Sequence, residues 1–188
     1  MGIVEKLLKE RATTVMGVDS STNSLAFGVL TDHELVKYGK IYFDGNSSYD
    51  RLADSQRKLL SLSSHFDVDY IAVEKAIMAR SVDTAIKMGM ALGVVIATVL
   101  DEYTDVVEVA PISWQSYIGN NNYNKTQKSA IRSKYSDKSE SWIKNRIREE
   151  RKQFTIDFFN EKYGIDNDDN DVADAIGVAY YASERLTR

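Results

Sequence analysis

The sequence predicts an α/β domain built on a mixed sheet, and three observations carry that expectation. Three stretches of strand character follow one another between Thr13 and Phe43, separated only by short turn signals. Two further short apolar runs, 70–73 and 106–110, flank a long stretch of helical periodicity. The remainder of the chain is helical in pattern. Consecutive strands followed by strand–helix–strand alternation describe a mixed sheet with helices packed on it. With 188 residues, 43% hydrophobic and 28% charged, the chain has the size and composition of one globular domain.

Residues 13–19 (TTVMGVD) are apolar, rich in β-branched side chains, and end on an acid, as a buried strand would. After the polar link Ser20 to Thr22, residues 25–30 read as a second strand. Residues 34–43 read as a third, with period-two alternation. Asp32-His33 and Asp44-Gly45-Asn46 are the turn signals. Helical spacing places Leu52, Leu59, Leu60 and Leu62 near one face of a helix over 49–66. The strand 70–73 runs into Glu74. A long helix is expected over 82–103, and its apolar part, Met88 to Leu100, reads as buried and too short to span a bilayer. The strand 106–110 is stopped by the single proline, Pro111, with a short helix over 114–117. The Asn- and Ser/Lys-rich segment 120–141 reads as an exposed insertion. A basic helix over 142–163, with Phe154, Phe158 and Phe159 on its apolar side, ends at Gly164. An acidic turn then leads into a last helix over 170–186. The expected organisation is a single domain, 1–188, with a basic insertion at about 120–145.

The absence of cysteine excludes disulfides and thiolate metal sites and fits a reducing, intracellular setting. At the N-terminus Ile3-Val4 and Leu7-Leu8 are interleaved with charges, which is not the pattern of a signal peptide. The net charge of −4 is unevenly spread. Between Asn120 and Thr155 ten Lys/Arg stand against four acids, a local +6 that leaves −10 for the rest. Such a segment is either a solvated helix face or an electrostatic footprint for a phosphate backbone.

Four acids stand at awkward places. Asp19 ends the first strand, Glu74 ends the fourth, and Asp171 and Asp174 open the last helix at i, i+3, on one face. Singly each has an ordinary reading: a turn-forming Asx residue for Asp19, a favourable helix start for Asp171. Asp168 and Asp169 read as loop acids. Acids at the ends of apolar strands cost desolvation energy unless something compensates them. If the two strands are neighbours and the last helix packs on them, four carboxylates converge, and hard divalent cations are the simplest compensation. Two such ions roughly 3.5–4 Å apart can activate water and stabilise the leaving oxygen of a phosphodiester displacement. No rival catalytic set is visible, since His33 and His65 are the only histidines.

The strings GVDSSTNSLAFGVL (17–30), IAVEKAIMARSVDTAIKMGMALGVVIA (71–97) and DVADAIGVAYYA (171–182) resemble the RuvC-type Holliday junction resolvases. The resemblance implies a ribonuclease-H-like fold: a mixed five-stranded sheet flanked by helices. It implies a homodimer that nicks four-way DNA junctions symmetrically with Mg²⁺ or Mn²⁺, two ions per active site. Asp19, Glu74, Asp171 and Asp174 fall on the family's catalytic, metal-holding acids, with Asp19 bridging the ions. Lys152 falls where the family has a basic residue at the start of its penultimate helix and is the first candidate for a phosphate contact. Lys125, Lys128, Arg148 and Arg151 follow it. The Ala/Gly/Met-rich helix 82–103 is either the dimer interface or core. The chain departs from bacterial members in its Asp-Ser-Ser-Thr motif, in Ile77 where an aromatic is common, and near Trp114 where a lysine is common. It thus looks more like the divergent, phage-associated branch, which implies the (host) cytoplasm and no membrane partner.

Other classes stay open on sequence grounds. A nuclease of the same fold acting on flaps or RNA shares every motif. Gly17-x-Asp19-x-x-Thr22 also suits the phosphate-binding hairpin of an actin-like ATPase, but that needs two such domains where 188 residues provide one. A non-catalytic junction-binding module would gain nothing from concentrating carboxylates beside phosphates.

Overall fold

The computed structural model of the protein describes residues 12–75 and 81–186. The first residues and Ile77 lie outside them, so the readings made there are not addressed. Five strands, β1 (Thr14–Ser20), β2 (Ser24–Thr31), β3 (Glu34–Tyr42), β4 (Tyr70–Glu74) and β5 (Asp105–Val109), form one sheet in the order β3-β2-β1-β4-β5. β1, β2 and β3 pair antiparallel, while β4 and β5 continue the sheet in parallel from β1. The expected mixed five-stranded sheet is therefore present. The Asp32-His33 turn joins β2 to β3 with both residues at positive φ, the geometry of a tight hairpin.

Six helices accompany the sheet among the described residues: α1 (Ser48–Ser63), α2 (Val82–Val99), α3 (Pro111–Tyr117), α4 (Lys125–Lys134), α5 (Glu140–Tyr163) and α6 (Asn170–Leu186). Side chains alternate across the central strand and divide the core in two. Val15 packs with Ala72, Trp114, Phe159, Ala175 and Ile176 on the face covered by α6. Met16 and Val18 pack with Leu59 of α1 and Val95 and Val99 of α2 on the opposite face. By this alternation Asp19 and Glu74, two residues beyond Gly17 and Ala72, share the α6 face.

Several boundaries differ from the sequence reading. Pro111 does not merely stop β5; it is the first residue of α3, where its missing N–H is no loss. The long helix ends at Val99 because the Asp101 carboxylate accepts from the Tyr103 N–H (2.8 Å) and the Thr104 hydroxyl (2.9 Å), which fixes a turn instead. Leu60 does not join the apolar face of α1 and is 53% exposed. The insertion is not a loop. Asn124 and Gln127 form a reciprocal capping box that starts α4, and Ser139 caps α5 two residues before the expected start.

The largest correction concerns α2. It is not buried along its length: Ala91, Val95 and Val99 are buried and Leu92 and Ile96 pack beside them, whereas Val82, Ile86, Met88 and Met90 are exposed. At 18 residues α2 is also long and apolar enough, by composition alone, to cross a membrane. Its packing against α1 and the sheet makes it instead one layer of the domain, with an apolar outer face that no other described residue covers.

α6 lies unusually close to β1. A Cβ on Gly17 would sit 2.3 Å from the Ala175 carbonyl oxygen and 2.5 Å from the Ala179 nitrogen. Gly28 on β2 meets Ile176 in the same way, at 2.8 Å. Gly17→Ala is therefore expected to lower unfolding stability by about 1–3 kcal/mol through overpacking against backbone that cannot yield. Urea unfolding of the variant and the parent measures this, and an unchanged midpoint would refute the close approach.

Candidate active site

The sheet register sets the first two acids. Beyond the parallel pair Val18↔Val73 the next step brings Asp19 level with Glu74, on adjacent strands and on one face. The antiparallel register aligns Asp19 with Ala26, and Ala26 with Lys40, so Lys40 of β3 extends across the same face. α6 delivers the other two acids. Its small residues Ala173, Ala175, Ala179 and Ala182 are buried, which lets its first turn bring Asp171 and Asp174 down to the strand ends.

Each carboxylate has a distinct setting. The Glu74 Oε1 atom accepts a 2.7 Å hydrogen bond from the Nε1–H of Trp114, a fully buried side chain. Burial raises the Glu74 pKa and the indole donor works against that rise. Trp114 is itself held by Gly177, where a Cβ would lie 2.6 Å from the ring. Asp171 accepts from the Lys40 ammonium (2.6 Å) and from the Asn170 amide (2.6 Å). Lys40 also donates to Asp169 (2.9 Å), and the other Asp169 oxygen accepts from the backbone N–H groups of Asp171 and Val172. Burial opposes the charge on Asp169, but Lys40 and these helix N–H groups hold it below the ordinary carboxylate range.

Among the described residues Asp19 and Asp174 have no such hydrogen-bonded partners, and their environment penalises charge. Burial, followed by the charges of Asp171 and Glu74, pushes Asp19 up to about 6. Burial, followed by Asp19, Glu74 and Asp171, pushes Asp174 up to about 8, with Lys152 opposing. The four acids thus lie within one another's field. Among the described residues no three of them already stand at metal-ligand spacing, because Lys40 and Trp114 draw Asp171 and Glu74 to their own donors. An all-oxygen set carrying uncompensated charge suits a hard divalent cation and no softer metal.

The basic residues separate into different surroundings. Lys152 donates to Asn170 (2.6 Å), next to Asp171 and within the field of Asp174. Lys128 and Arg148 line a cleft of about 540 Å³ between α4, α5 and the loop before them, and Asp174 is among its lining residues. Lys125, at the first turn of α4, is not part of its wall. Arg151 is occupied by the protein. Its guanidinium donates to Gln115, Asn120 and Asn122, while Asn120 donates back to the Arg151 carbonyl, clamping the inserted loop onto α5.

A family description, "Crossover junction endodeoxyribonuclease RuvC", matches residues 15–135. The chain belongs to the RuvC family. Proteins of that name from Cytophaga hutchinsonii and Porphyromonas gingivalis are 28% and 29% identical over 126 and 133 residues, or 64% and 68% of this chain. The first alignment spans 63% of the length of the Cytophaga protein and the second 69% of the Porphyromonas protein. Among solved structures, Thermus thermophilus RuvC in complex with a Holliday junction substrate superposes with a TM-score of 0.68. It is 16% identical and the superposition covers 93% of this chain and 96% of that one. That likeness establishes the ribonuclease-H-like fold. Asp19 and Glu74 fall inside the family match and Asp171 and Asp174 beyond it.

Lys40, Trp114, Asp169 and Asn170 were not legible as site residues. The Lys40 position depends on the β1–β2–β3 register, and the role of Trp114 depends on a helix whose approach to β4 no local pattern encodes. Asp169 does carry a signal, since an acid before Asn170-Asp171 is a natural cap for the following helix.

The raised carboxylates set the pH dependence of the metal-free fold. Between 3.8, the ordinary Asp value, and about 8, folded Asp174 keeps a proton that the unfolded chain has lost. Stability therefore falls as pH rises through that window, with Asp19 contributing up to about 6. Thermal melts in EDTA should show Tm decreasing from pH 5 to pH 8, and Asp174→Asn should flatten the slope. Mg²⁺ should raise Tm more at pH 8 than at pH 5. A slope of the opposite sign would contradict the described environment.

Proposed function

We propose that this protein is a divalent-metal-dependent endodeoxyribonuclease that resolves four-way DNA junctions by paired, symmetric nicks. What supports this reading is that Asp19, Glu74 and Asp171 all act on the charge of Asp174, which lines the same cleft as Lys128, Lys144, Arg148 and Lys152. A binding module gains nothing from acids beside phosphates, whereas a metal-assisted nuclease needs both. Membership in a family whose proteins are named crossover junction endodeoxyribonucleases supports the same reading.

In this proposal Asp19, Glu74, Asp171 and Asp174 hold two Mg²⁺ or Mn²⁺ ions. Bound there, the ions supply a water of lowered pKa and stabilise the oxygen that leaves. The chain's own groups do the positioning. Trp114 fixes the orientation of Glu74. Lys40 and the Asp169 cap hold Asp171 in place and offset its charge while no cation is bound. Lys152, with Lys128 and Arg148 behind it, binds the phosphates flanking the scissile one; Lys125 contacts DNA further out, and Arg151 contributes by shaping the wall. Such contacts position the substrate without reading sequence. In this reading residues 1–188 make one nuclease domain whose basic insertion is the segment at about 120–145, and it acts in the cytoplasm where its DNA lies.

Symmetric nicking requires a two-fold assembly, and the uncovered face of α2 supplies a surface for it. Val82, Ile86 and Met90 are 78%, 57% and 37% exposed on the single chain, and Gly89 and Gly93 face open space. An apolar patch of this kind is an association surface. Ile86→Glu is expected to convert a dimer into monomers in sedimentation and to uncouple the two nicks. A variant that remains dimeric would place the interface elsewhere.

The decisive assay incubates the protein with end-labelled four-way, flap and linear DNAs, with Mg²⁺ or EDTA. Paired Mg²⁺-dependent nicks across the four-way junction are expected. Asp19→Asn should abolish cleavage, by at least about a hundredfold, and leave junction binding intact. Equal cutting of flaps would widen the substrate class, and nicking by Asp19→Asn at the parental rate would remove the acids from the mechanism.

A further inference from the structure

The cleft formed by α4 and α5 has a composition that general phosphate binding does not require. Ile143 and Ile147, one turn apart on α5, give it an apolar wall, and Tyr123 stands among the lining residues with its hydroxyl fixed by Glu150 (3.1 Å). Along the same helix Lys144, Arg148 and Lys152 follow at i, i+4, i+8, a step of about 6 Å each, and lead toward Asp174. Among the described residues neither Lys144 nor Arg148 forms an ion pair, and both are exposed. The walls are braced: Arg132 pairs with Glu140 (2.8 Å), Tyr135 packs on Trp142, and Arg151 ties the loop to α5. At about 540 Å³ the cleft has the volume of a site for a small unit such as a nucleotide.

Resting on the nuclease reading above, we propose that this cleft receives an unpaired stretch of the DNA strand to be cut. Its phosphates run along Lys144, Arg148 and Lys152, and a base lies against Tyr123 and the Ile143–Ile147 wall. A cationic track beside an aromatic face is the chemistry by which single strands are held without sequence preference. The substrate is then a branch point at which a strand has separated from its complement, delivered to the acids through the insertion.

The test measures binding of fluorescein-labelled (dT)8 to the full chain in EDTA by anisotropy, alongside junction cleavage in Mg²⁺. (dT)8 should bind the parent. Tyr123→Ala should weaken it about tenfold and Tyr123→Phe should restore it, because the ring and not the hydroxyl meets the base. Lys144→Glu with Arg148→Glu should abolish (dT)8 binding, and the milder double alanine variant should lower the salt slope of log K by about 1.4, two phosphates' worth. Junctions with two unpaired nucleotides beside the cut should be cleaved faster than fully paired ones by the parent alone. Melting temperatures of all variants check that each is folded. Unaltered (dT)8 affinity in Tyr123→Ala and the double alanine variant, with junctions still cut, would overturn the cleft proposal and leave the nuclease standing. No cleavage of any DNA in Mg²⁺, with (dT)8 still bound through the cleft, would overturn the nuclease reading instead.

Discussion

The close approach of α6 to β1 over Gly17 is the constraint on which the rest of the site depends. Two backbones come within the reach of a missing methyl group, with Gly28 and the alanines of α6 extending the contact along the helix. This seats the first turn of α6 over the ends of β1 and β4. Asp171 and Asp174 therefore come within the field of Asp19 and Glu74, although about a hundred residues separate the two pairs in the chain. A larger side chain at Gly17 would lift the helix, and both halves of the site would separate together. Gly177 plays a parallel part on the far side of α6, admitting the Trp114 ring that reaches Glu74.

Bringing four carboxylates together works against folding, and the structure meets that cost unevenly. Asp169 and Asp171 have Lys40, Asn170 and helix N–H groups; Glu74 has the indole of Trp114. Asp19 and Asp174 have little beyond the distant charges of Lys40 and Lys152, so they retain protons at pH values where ordinary aspartates are ionised. The site is thus preorganised at its edges and electrostatically unfinished at its centre. A divalent cation arriving there gains from the repulsion it relieves, which couples metal binding to both fold stability and pH.

The inserted segment and α2 extend this central arrangement in opposite directions. α4 and α5 carry the positive charge of an otherwise acidic chain to the mouth of the site, where the field of the acids alone would repel a phosphate backbone. α2, on the reverse of the sheet, keeps an apolar stripe that no other described residue covers. Basic entrance, acidic centre and apolar back lie on separate surfaces of one sheet, and none obstructs another.

The sequence by itself determined the strand order of types, the mixed sheet and the four candidate acids, because these rest on local signals. Apolar runs of β-branched residues ending at Asp19 and Glu74, and the i, i+3 pair Asp171 and Asp174, are visible without any tertiary contact. Capping chemistry is equally local, yet the Asn124 and Gln127 capping box lies within a polar, Ser/Lys-rich stretch whose composition indicates only an exposed insertion. Tertiary structure alone decided three matters. It put Lys40 beside Asp171 through a three-strand register, turned Arg151 from a solvent-facing cation into a clamp, and left α2 covered on only one side. Each depends on which surfaces meet, and a one-dimensional pattern of apolar and charged residues describes a face without naming what packs against it.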